Sequence, residues 1–214
     1  MEAVIDNDIL FKGACYGLLE ELLPADGSIT GPLGILGAAR YVVAKKIQKS
    51  ALRTNATTAI KELEAFLERA ETVEPTENEQ LMAADFELAA QRTAVALDSG
   101  ESQLCAVVIA RALPLLLTGD KRAIKAIERL LDVDPRLQFL CGKIKCLEQL
   151  VLRSLSEENH SRLRAAVCGE PDVDKALAIC FSCKNEAATL EGISEGLRSY
   201  INDLRSGAPQ VLAA

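Results

Sequence analysis

Short apolar runs that end at polar turns are the feature of this sequence that most constrains its fold. Residues 3–5 are all apolar and stop at Asp6, and residues 115–117 are all leucine and lead through a turn to Asp120. Such a run predicts a strand that is buried on both faces. Segments with helical spacing separate the runs, which implies right-handed crossovers between parallel strands. The predicted fold class is α/β, with a mostly parallel central sheet flanked by helices.

The same patterns locate the individual elements along the chain. Strands are predicted at residues 3–6, 71–75, 115–118 and 143–147. The turn-rich connection at 27–34 is compatible with a further short strand at 28–30. The spacing of apolar residues predicts helices at residues 9–23, 35–52, 57–69, 78–97, 98–111, 121–131, 149–155, 158–167, 172–181 and 185–204.

A chain of 214 residues can form one well-buried domain with an appendage. We predict a core domain at residues 1–150, followed by a helical C-terminal extension at 151–206. The helices of the extension are amphipathic, so their apolar faces need a partner surface, and we expect them to pack on the core. Residues 207–214 are predicted to form a flexible tail.

The seven cysteines and the N-terminal residues bear on the cellular compartment. The count is odd and the start, Met1-Glu2-Ala3, has no basic segment of a signal peptide, which predicts reduced thiols and a cytoplasmic protein. No run approaches the roughly 20 apolar residues of a membrane span, so no membrane association is expected. Cys180 and Cys183 have the spacing of a zinc-binding pair, but Cys180 lies in an apolar helical run, which favours buried thiols.

Charge is unevenly distributed along the chain. The net charge of −7 opposes general affinity for nucleic acid, yet no acid occurs between Gly27 and Lys61. Basic residues of this stretch, in particular Arg40, Lys45 and Lys46, are candidates for contacts with RNA phosphates. The alternative is an ordinary solvated helix face.

Three acids are predicted to meet at one edge of the sheet. A helix that precedes a parallel strand runs antiparallel to it, so Glu101, near the start of helix 98–111, belongs at the edge where strand 115–118 ends. Asp120 follows that strand, and Asp6 joins them if the two strands are neighbours. Crowded carboxylates ionise together only with a cation present, and oxygen ligands suit Mg²⁺ or Mn²⁺. Asp6, Glu101 and Asp120 are therefore the candidate metal ligands.

Each of these acids also has a structural interpretation. Asp98 and Glu101 have the spacing of a capping box at the start of a helix. Asp120 would favour the positive end of the following helix. A buried Asp6 could instead be paired with a lysine such as Lys12 or Lys121.

Three segments resemble motifs of the PIN-domain family of metal-dependent nucleases. The resemblance covers about residues 3–150, and residues 30–90 match only in the order of elements. The segments that carry it are Val4-Ile5-Asp6-Asn7-Asp8, Leu97-Asp98-Ser99-Gly100-Glu101-Ser102 and Leu117-Thr118-Gly119-Asp120-Lys121-Arg122-Ala123.

The resemblance implies a compact sheet with a central first strand and hydrolysis of RNA at a site for Mg²⁺ or Mn²⁺. Asp6, Glu101 and Asp120 would be the catalytic metal ligands, with Asp8 and Asp98 as auxiliary acids. Family members include toxins of toxin–antitoxin pairs and RNA-processing enzymes, and many are homodimers. The resemblance thus implies RNA as the substrate, and an antitoxin or a second copy as partner.

The sequence departs from the family at one position. The family commonly has another glutamate on the helix after the second strand, but residues 34–41 contain no acid. Glu148 could compensate as a further auxiliary acid. We predict a metal-dependent ribonuclease in which Lys121 or Arg122 contacts phosphate. The alternative is a catalytically impaired PIN-like module that binds RNA or protein partners; a small-molecule phosphohydrolase is disfavoured because no Gly-rich phosphate cradle is present.

Overall fold

A five-stranded parallel sheet forms the centre of the protein. The computed structural model describes residues 1–23, 32–53, 55–185 and 187–214. Within them the strand order is β3-β2-β1-β4-β5, and every neighbouring pair is parallel. The α/β class with helices around a parallel sheet is confirmed. The strands are β1 (Ala3–Ile5), β2 (Leu33–Leu36), β3 (Glu71–Val73), β4 (Leu115–Thr118) and β5 (Ile144–Cys146).

The helices of the described residues follow the predicted order. They are α1 (Asn7–Tyr16), α2 (Leu19–Leu22), α3 (Ala39–Lys49), α4 (Ala56–Leu67), α5 (Glu77–Arg92), α6 (Ser99–Ala110), α7 (Lys121–Leu130), α8 (Leu147–Ser154), α9 (His160–Gly169), α10 (Lys175–Cys180) and α11 (Leu190–Gly207). The predicted helix 9–23 is divided at Gly17, whose φ of 64° ends α1 in the left-handed conformation. None of these helices combines the length and apolarity needed to cross a bilayer.

The second strand lies later than the sequence patterns place it. The strand suggested at 28–30 falls outside the described residues, and the helix predicted from Ile35 begins at Ala39. All four residues of β2 are buried, as expected for a strand whose two faces are both covered. Gly34 fits between its neighbours so closely that a β-carbon there would lie 2.9 Å from Val73 Cγ2. The strand escaped prediction because its apolar residues run directly into the helical spacing of α3.

Two apolar cores lie on opposite faces of the sheet. Ile5 and Leu117 belong to the core formed with α1–α4 and α8–α11, whereas Val4 and Leu116 belong to the core formed with α5–α7. Successive strand residues alternate between the two faces, as the pleat requires. Helix α11 contributes residues to both cores. The C-terminal helices therefore share the core with the sheet.

The prediction of a flexible tail at residues 207–214 is wrong. Ala208, Val211 and Leu212 are buried, and Leu212 forms a parallel bridge with Ile144 of β5. The backbone N–H of Ala213 donates to the carbonyl of Ile144 at 2.8 Å. The physical reason is that β5 is the edge strand of the sheet, and its open backbone groups need partners. The four adjacent apolar residues at 211–214 are too short a signal to predict this.

The prediction that all cysteines are reduced is also wrong. Cys168 and Cys183 form a disulfide whose Cα atoms lie 5.0 Å apart. It joins the end of α9 to the turn after α10, two segments that pack together but whose proximity no spacing in the sequence reveals. The other five cysteines are free, and Cys180 is a buried thiol as predicted.

Candidate functional site

Asp6 and Asp120 lie at the same edge of the sheet. Strands β1 and β4 are parallel neighbours, with Ile5 opposite Leu117, so both strands end together. Asp6 follows β1 directly, and its backbone N–H donates to the carbonyl of Leu117 at 2.9 Å. Glu101 lies in the first turn of α6, the helix that precedes β4. We call Asp6, Glu101 and Asp120 the acidic rim.

A buried hydroxyl links two members of the acidic rim. Thr118 Oγ1 donates to Asp6 Oδ2 at 3.1 Å and accepts the backbone N–H of Asp120 at 3.1 Å. This threonine therefore fixes the Asp6 carboxylate relative to the turn that carries Asp120. Sequence reasoning missed its role, although a single polar residue at the end of an all-leucine strand was a usable signal.

Glu101 is held by a capping box. The backbone N–H of Asp98 donates to Glu101 Oε2 at 2.8 Å, and the backbone N–H of Glu101 donates to Asp98 Oδ1 at 2.9 Å. The structural interpretation of this pair is thus confirmed. One oxygen of the Glu101 carboxyl group accepts the capping hydrogen bond, and this fixes the side chain. The other oxygen takes no part in the capping box.

Asp120 caps α7 and also forms an ion pair. Asp120 Oδ1 accepts the backbone N–H groups of Arg122 at 2.7 Å and Ala123 at 3.3 Å. The guanidinium of Arg122 donates to Asp120 Oδ2 at 2.8 Å. The helix-starting interpretation of Asp120 is confirmed. Arg122, a predicted phosphate contact, is 80% exposed and lies on this carboxylate.

Burial and mutual repulsion raise the pKa of two rim acids. The pKa of Asp6 rises to about 6, mainly because of burial and then because of the charge of Asp8. The pKa of Glu101 rises to about 8, again mainly through burial, with repulsion from Asp98, Asp120 and Asp6. Burial also acts to raise the pKa of Asp120, but hydrogen bonds from Arg122 outweigh it and the pKa is lowered. A nearby cation would relieve the cost of ionising Asp6 and Glu101.

Asp6, Glu101 and Thr118 border a void of about 10 Å³, but no polar atom lines it. Its other walls are the apolar side chains of Leu104, Cys105, Leu116, Ala123 and Ile127, so the void belongs to the apolar core and is not a space for a cation. The carboxylate oxygens are the ligand type that Mg²⁺ and Mn²⁺ prefer. As the side chains stand, however, no three His, Cys, Asp or Glu residues in the described part of the chain are grouped to hold a metal ion. The donor chemistry fits a hard cation, whereas the positions do not make a three-ligand set.

Asp8 lies beside the rim and is neutralised by lysines. Lys12 Nζ is 2.5 Å from Asp8 Oδ2, and Lys46 Nζ is 3.4 Å from Asp8 Oδ1. The carboxylate rests against the turn after β4, where a β-carbon on Gly119 would overlap Asp8 Oδ2. A side chain at position 119 would have to displace the Asp8 carboxylate, so glycine allows Asp8 to approach this turn.

Two partly buried lysines beside the rim pair with acids of the C-terminal segment. Lys12 also pairs with Asp174 at 2.7 Å, and Lys121 forms an ion pair with the buried Glu148. We call Asp8, Lys12, Lys121, Glu148 and Asp174 the lysine network. Sequence reasoning offered Lys12 or Lys121 as a partner of Asp6, and this is wrong, because both lysines pair with other acids. Asp174 was missed, since nothing local relates it to the rim.

The predicted basic contacts on α3 divide into two groups. Arg40, Lys45 and Lys46 are all exposed, but Lys46 also contacts Asp8, and its ammonium lies 4.1 Å from the centroid of the Phe11 ring. The acid that the resemblance to PIN-domain proteins leads one to expect on this helix is absent. Glu74, which follows β3, lies against Gly37 at the end of β2, so close that a β-carbon on Gly37 would overlap its carboxylate. An acid from the neighbouring strand therefore lies at this edge, which the sequence patterns did not show.

The acidic rim and the lysine network together give this edge of the sheet both signs of charge. The lysines of the network are already paired with carboxylates, Lys12 with Asp8 and Asp174 and Lys121 with Glu148. The chain matches no protein-family model, no curated protein and no solved structure. The function of the protein is therefore inferred from the residues at this edge of the sheet.

Proposed function

We propose that the acidic rim binds Mg²⁺ or Mn²⁺ and that the chain is a PIN-like, metal-dependent ribonuclease. The observation that carries the proposal is the pair formed by Asp6 and Glu101. Both are buried at the same edge of the sheet, and both have a pKa raised by burial and by neighbouring carboxylates. Such a pair is costly without a counter-charge, and groups perturbed in this way are typical of functional sites.

The topology supports the same position. The chain builds β1, β2 and β3 outward in one direction and then returns to place β4 and β5 on the other side of β1. The direction of strand addition therefore reverses between β1 and β4. In open α/β sheets ligands bind at this switch point, beyond the carboxyl ends of the strands. Asp6 and Thr118 lie there.

The residues of this edge have distinct roles in the proposal. Asp6 and Glu101 would hold the cation, and Asp120 would join them when Arg122 turns to a phosphate of the substrate. Thr118 keeps the Asp6 carboxylate oriented. A divalent cation, when bound, supplies neutralisation of phosphate charge and activation of water. Lys46, with Lys45 and Arg40 beyond it on α3, favours an extended anionic substrate such as RNA.

One observation favours a second candidate, a catalytically impaired PIN-like module that binds RNA or protein. Each carboxylate of the acidic rim already has a protein partner: the Thr118 hydroxyl, the Asp98 N–H or the Arg122 guanidinium. An acidic rim whose carboxylates already have hydrogen-bond partners within the protein can have a purely structural role. Cleavage assays separate the two candidates.

The test compares RNA cleavage by wild type and Asp6→Asn with Mg²⁺, Mn²⁺ or a chelator. Asp132→Asn, which changes an exposed acid elsewhere, is the matched control. We expect metal-dependent cleavage that falls at least about a hundredfold in Asp6→Asn and is unchanged in the control, because an amide is a poorer cation ligand. Equal rates in all three proteins would contradict the proposal. RNA binding without cleavage by the wild type would favour the second candidate.

A further inference from the structure

One side of α5 exposes two leucines that lie seven residues apart. Leu81 is 62% exposed and Leu88 is 44% exposed, with the small, exposed Ala84 between them. Seven residues are close to two helical turns, so the two leucines lie on the same side of the helix. The opposite side, with Phe86 and Ala90, is buried in the core that also contains α6. No other helix of the described residues exposes two large apolar side chains with this spacing.

Residues of opposite charge lie at the two ends of this side of the helix. Glu77 is in the first turn of α5 and Arg92 in the last, and both are exposed. Neither forms an ion pair within the described part of the chain. Asn78 and Gln91, each one residue closer to the middle, are exposed amides that can hydrogen-bond with each other. We give the name outer face of α5 to the set Glu77, Asn78, Leu81, Ala84, Leu88, Gln91 and Arg92.

The outer face of α5 is self-complementary about a point between residues 84 and 85. When two copies of α5 pack antiparallel with Leu81 of one copy against Leu88 of the other, Glu77 lies opposite Arg92, because each is four residues farther from the centre. A two-fold axis makes every such contact twice, so two ion pairs and two leucine contacts form together. Parallel packing would instead place each charge beside a like charge, which is unfavourable.

The centre of this arrangement is compatible with close packing of the two helices. Ala84, which has a small side chain, lies next to the axis. Asp85 also comes near the axis, but its carboxylate accepts a hydrogen bond from the Arg136 guanidinium at 3.0 Å. The charge of Asp85 is therefore balanced within each chain. Antiparallel helices also bring the opposite ends of their dipoles together, which is favourable.

We propose that the outer face of α5 binds a second copy of this chain through antiparallel packing of the two α5 helices. The 16 residues of α5 span about 24 Å. A single helix pair of this length buries less surface than the roughly 1,600 Å² of a standard interface, so the dimer should be weak and form at micromolar concentrations. This inference goes beyond the proposed function, since neither the acidic rim nor the lysine network takes part in the contact.

Sedimentation velocity over protein concentrations from about 1 to about 200 µM tests the proposal. Wild type should pass from monomer to dimer within this range. Leu81→Asp should weaken dimerisation at least about tenfold, because it places a charge in the apolar contact on both sides of the axis. The matched control is Ile179→Asp on α10, which changes another exposed apolar residue and should leave the affinity unchanged. Both positions are exposed, so both variants should fold, and circular dichroism checks this.

Exchange of the terminal charges tests the antiparallel register. Glu77→Arg and Arg92→Glu should each weaken the dimer at least about threefold at low ionic strength, because each turns two ion pairs into two repulsive contacts. The double variant restores opposite charges at both contacts and should dimerise like wild type. An effect of either substitution on the stability of α5 alone would not be rescued in this way.

Three outcomes would overturn this inference. The first is a wild type that stays monomeric over the whole range, which would leave the outer face of α5 to a partner other than a second copy. The second is equal affinity in wild type and Leu81→Asp, which would place the dimer contact elsewhere. The third is a double charge variant that dimerises no better than the single variants, which would exclude the antiparallel register.

Discussion

Replacing Asp6 by asparagine should stabilise the metal-free protein, and the gain should depend on pH. The pKa of Asp6 is raised from 3.8 to about 6, mainly by burial. At 1.36 kcal/mol per pKa unit this corresponds to about 3 kcal/mol of lost stability once the carboxyl is ionised. An asparagine side chain has no charge to bury and can still accept the hydrogen bond from Thr118. This value is an upper limit on the gain, because the protein interior relaxes around a charge and so lowers the cost of burying it.

The sign of the pH dependence follows from the raised pKa. Below about pH 4 the carboxyl is protonated in both the folded and the unfolded chain, so the substitution changes stability little through charge. Between about pH 4 and pH 6 the unfolded chain releases its proton before the folded chain does, and wild type loses stability relative to Asp6→Asn. Above about pH 6 the folded chain is ionised as well, and the contribution of Asp6 itself reaches its full value. Glu101 titrates in both proteins, but Asp6→Asn removes one of the charges that raise its pKa, so the variant should gain slightly more as the pH approaches 8.

Urea denaturation in the presence of a chelator measures this difference. Wild type and Asp6→Asn are unfolded at several pH values from 4 to 8, and the free energies of unfolding are compared. Asp132→Asn is the control and should track the wild type. A difference that does not change with pH, or a variant that is less stable than wild type at pH 8, would refute the claim that Asp6 carries a buried, repelled charge.

Three further predictions concern other parts of the structure. Thr118→Val should destabilise the fold by about 1–3 kcal/mol in urea denaturation, because Asp6 loses a donor and the Asp120 N–H an acceptor, while Thr118→Ser should cost less. Removal of residues 209–214 should cost about 3 kcal/mol or more by the same measurement, since three buried apolar residues and the partners of the β5 edge are lost. A truncated protein of wild-type stability would show that the chain end does not pack on β5. Reduction of the disulfide between Cys168 and Cys183 should lower stability by about 3 kcal/mol, the value for a loop of its length, and a variant with serine at both positions should not respond to reductant.

The sheet and most helices could be predicted because their signals are local. The runs at residues 3–5 and 115–117 are too short for helices and too apolar for exposed loops, so they could only be buried strands. Strand β2 has the same character but joins the helical pattern of α3, and Gly34 gives no strand signal of its own. The packed chain end was unpredictable because it depends on the open edge of β5, a property of the assembled sheet.

The positions of the site residues could be predicted only as far as topology carries them. Asp6 and Asp120 follow strands that end at one edge, so their placement there required only that β1 and β4 be neighbours. Their partners could not be foreseen, because hydrogen bonds and ion pairs depend on distances between side chains remote in sequence. The ion pair of Lys12 with Asp174 joins two such residues. The same holds for the pair formed by Lys121 and the buried Glu148.

Binding of Mn²⁺ to the protein without RNA tests the central claim most directly. Electron paramagnetic resonance at pH 8 would measure free Mn²⁺ in titrations of wild type, Glu101→Gln and the control Asp132→Asn. The proposed site predicts one bound ion per chain in the wild type and the control, with affinity at least about tenfold lower in Glu101→Gln, which loses a charged oxygen ligand. Absence of stoichiometric binding in the wild type, or equal affinity in all three proteins, would contradict a cation site at the acidic rim.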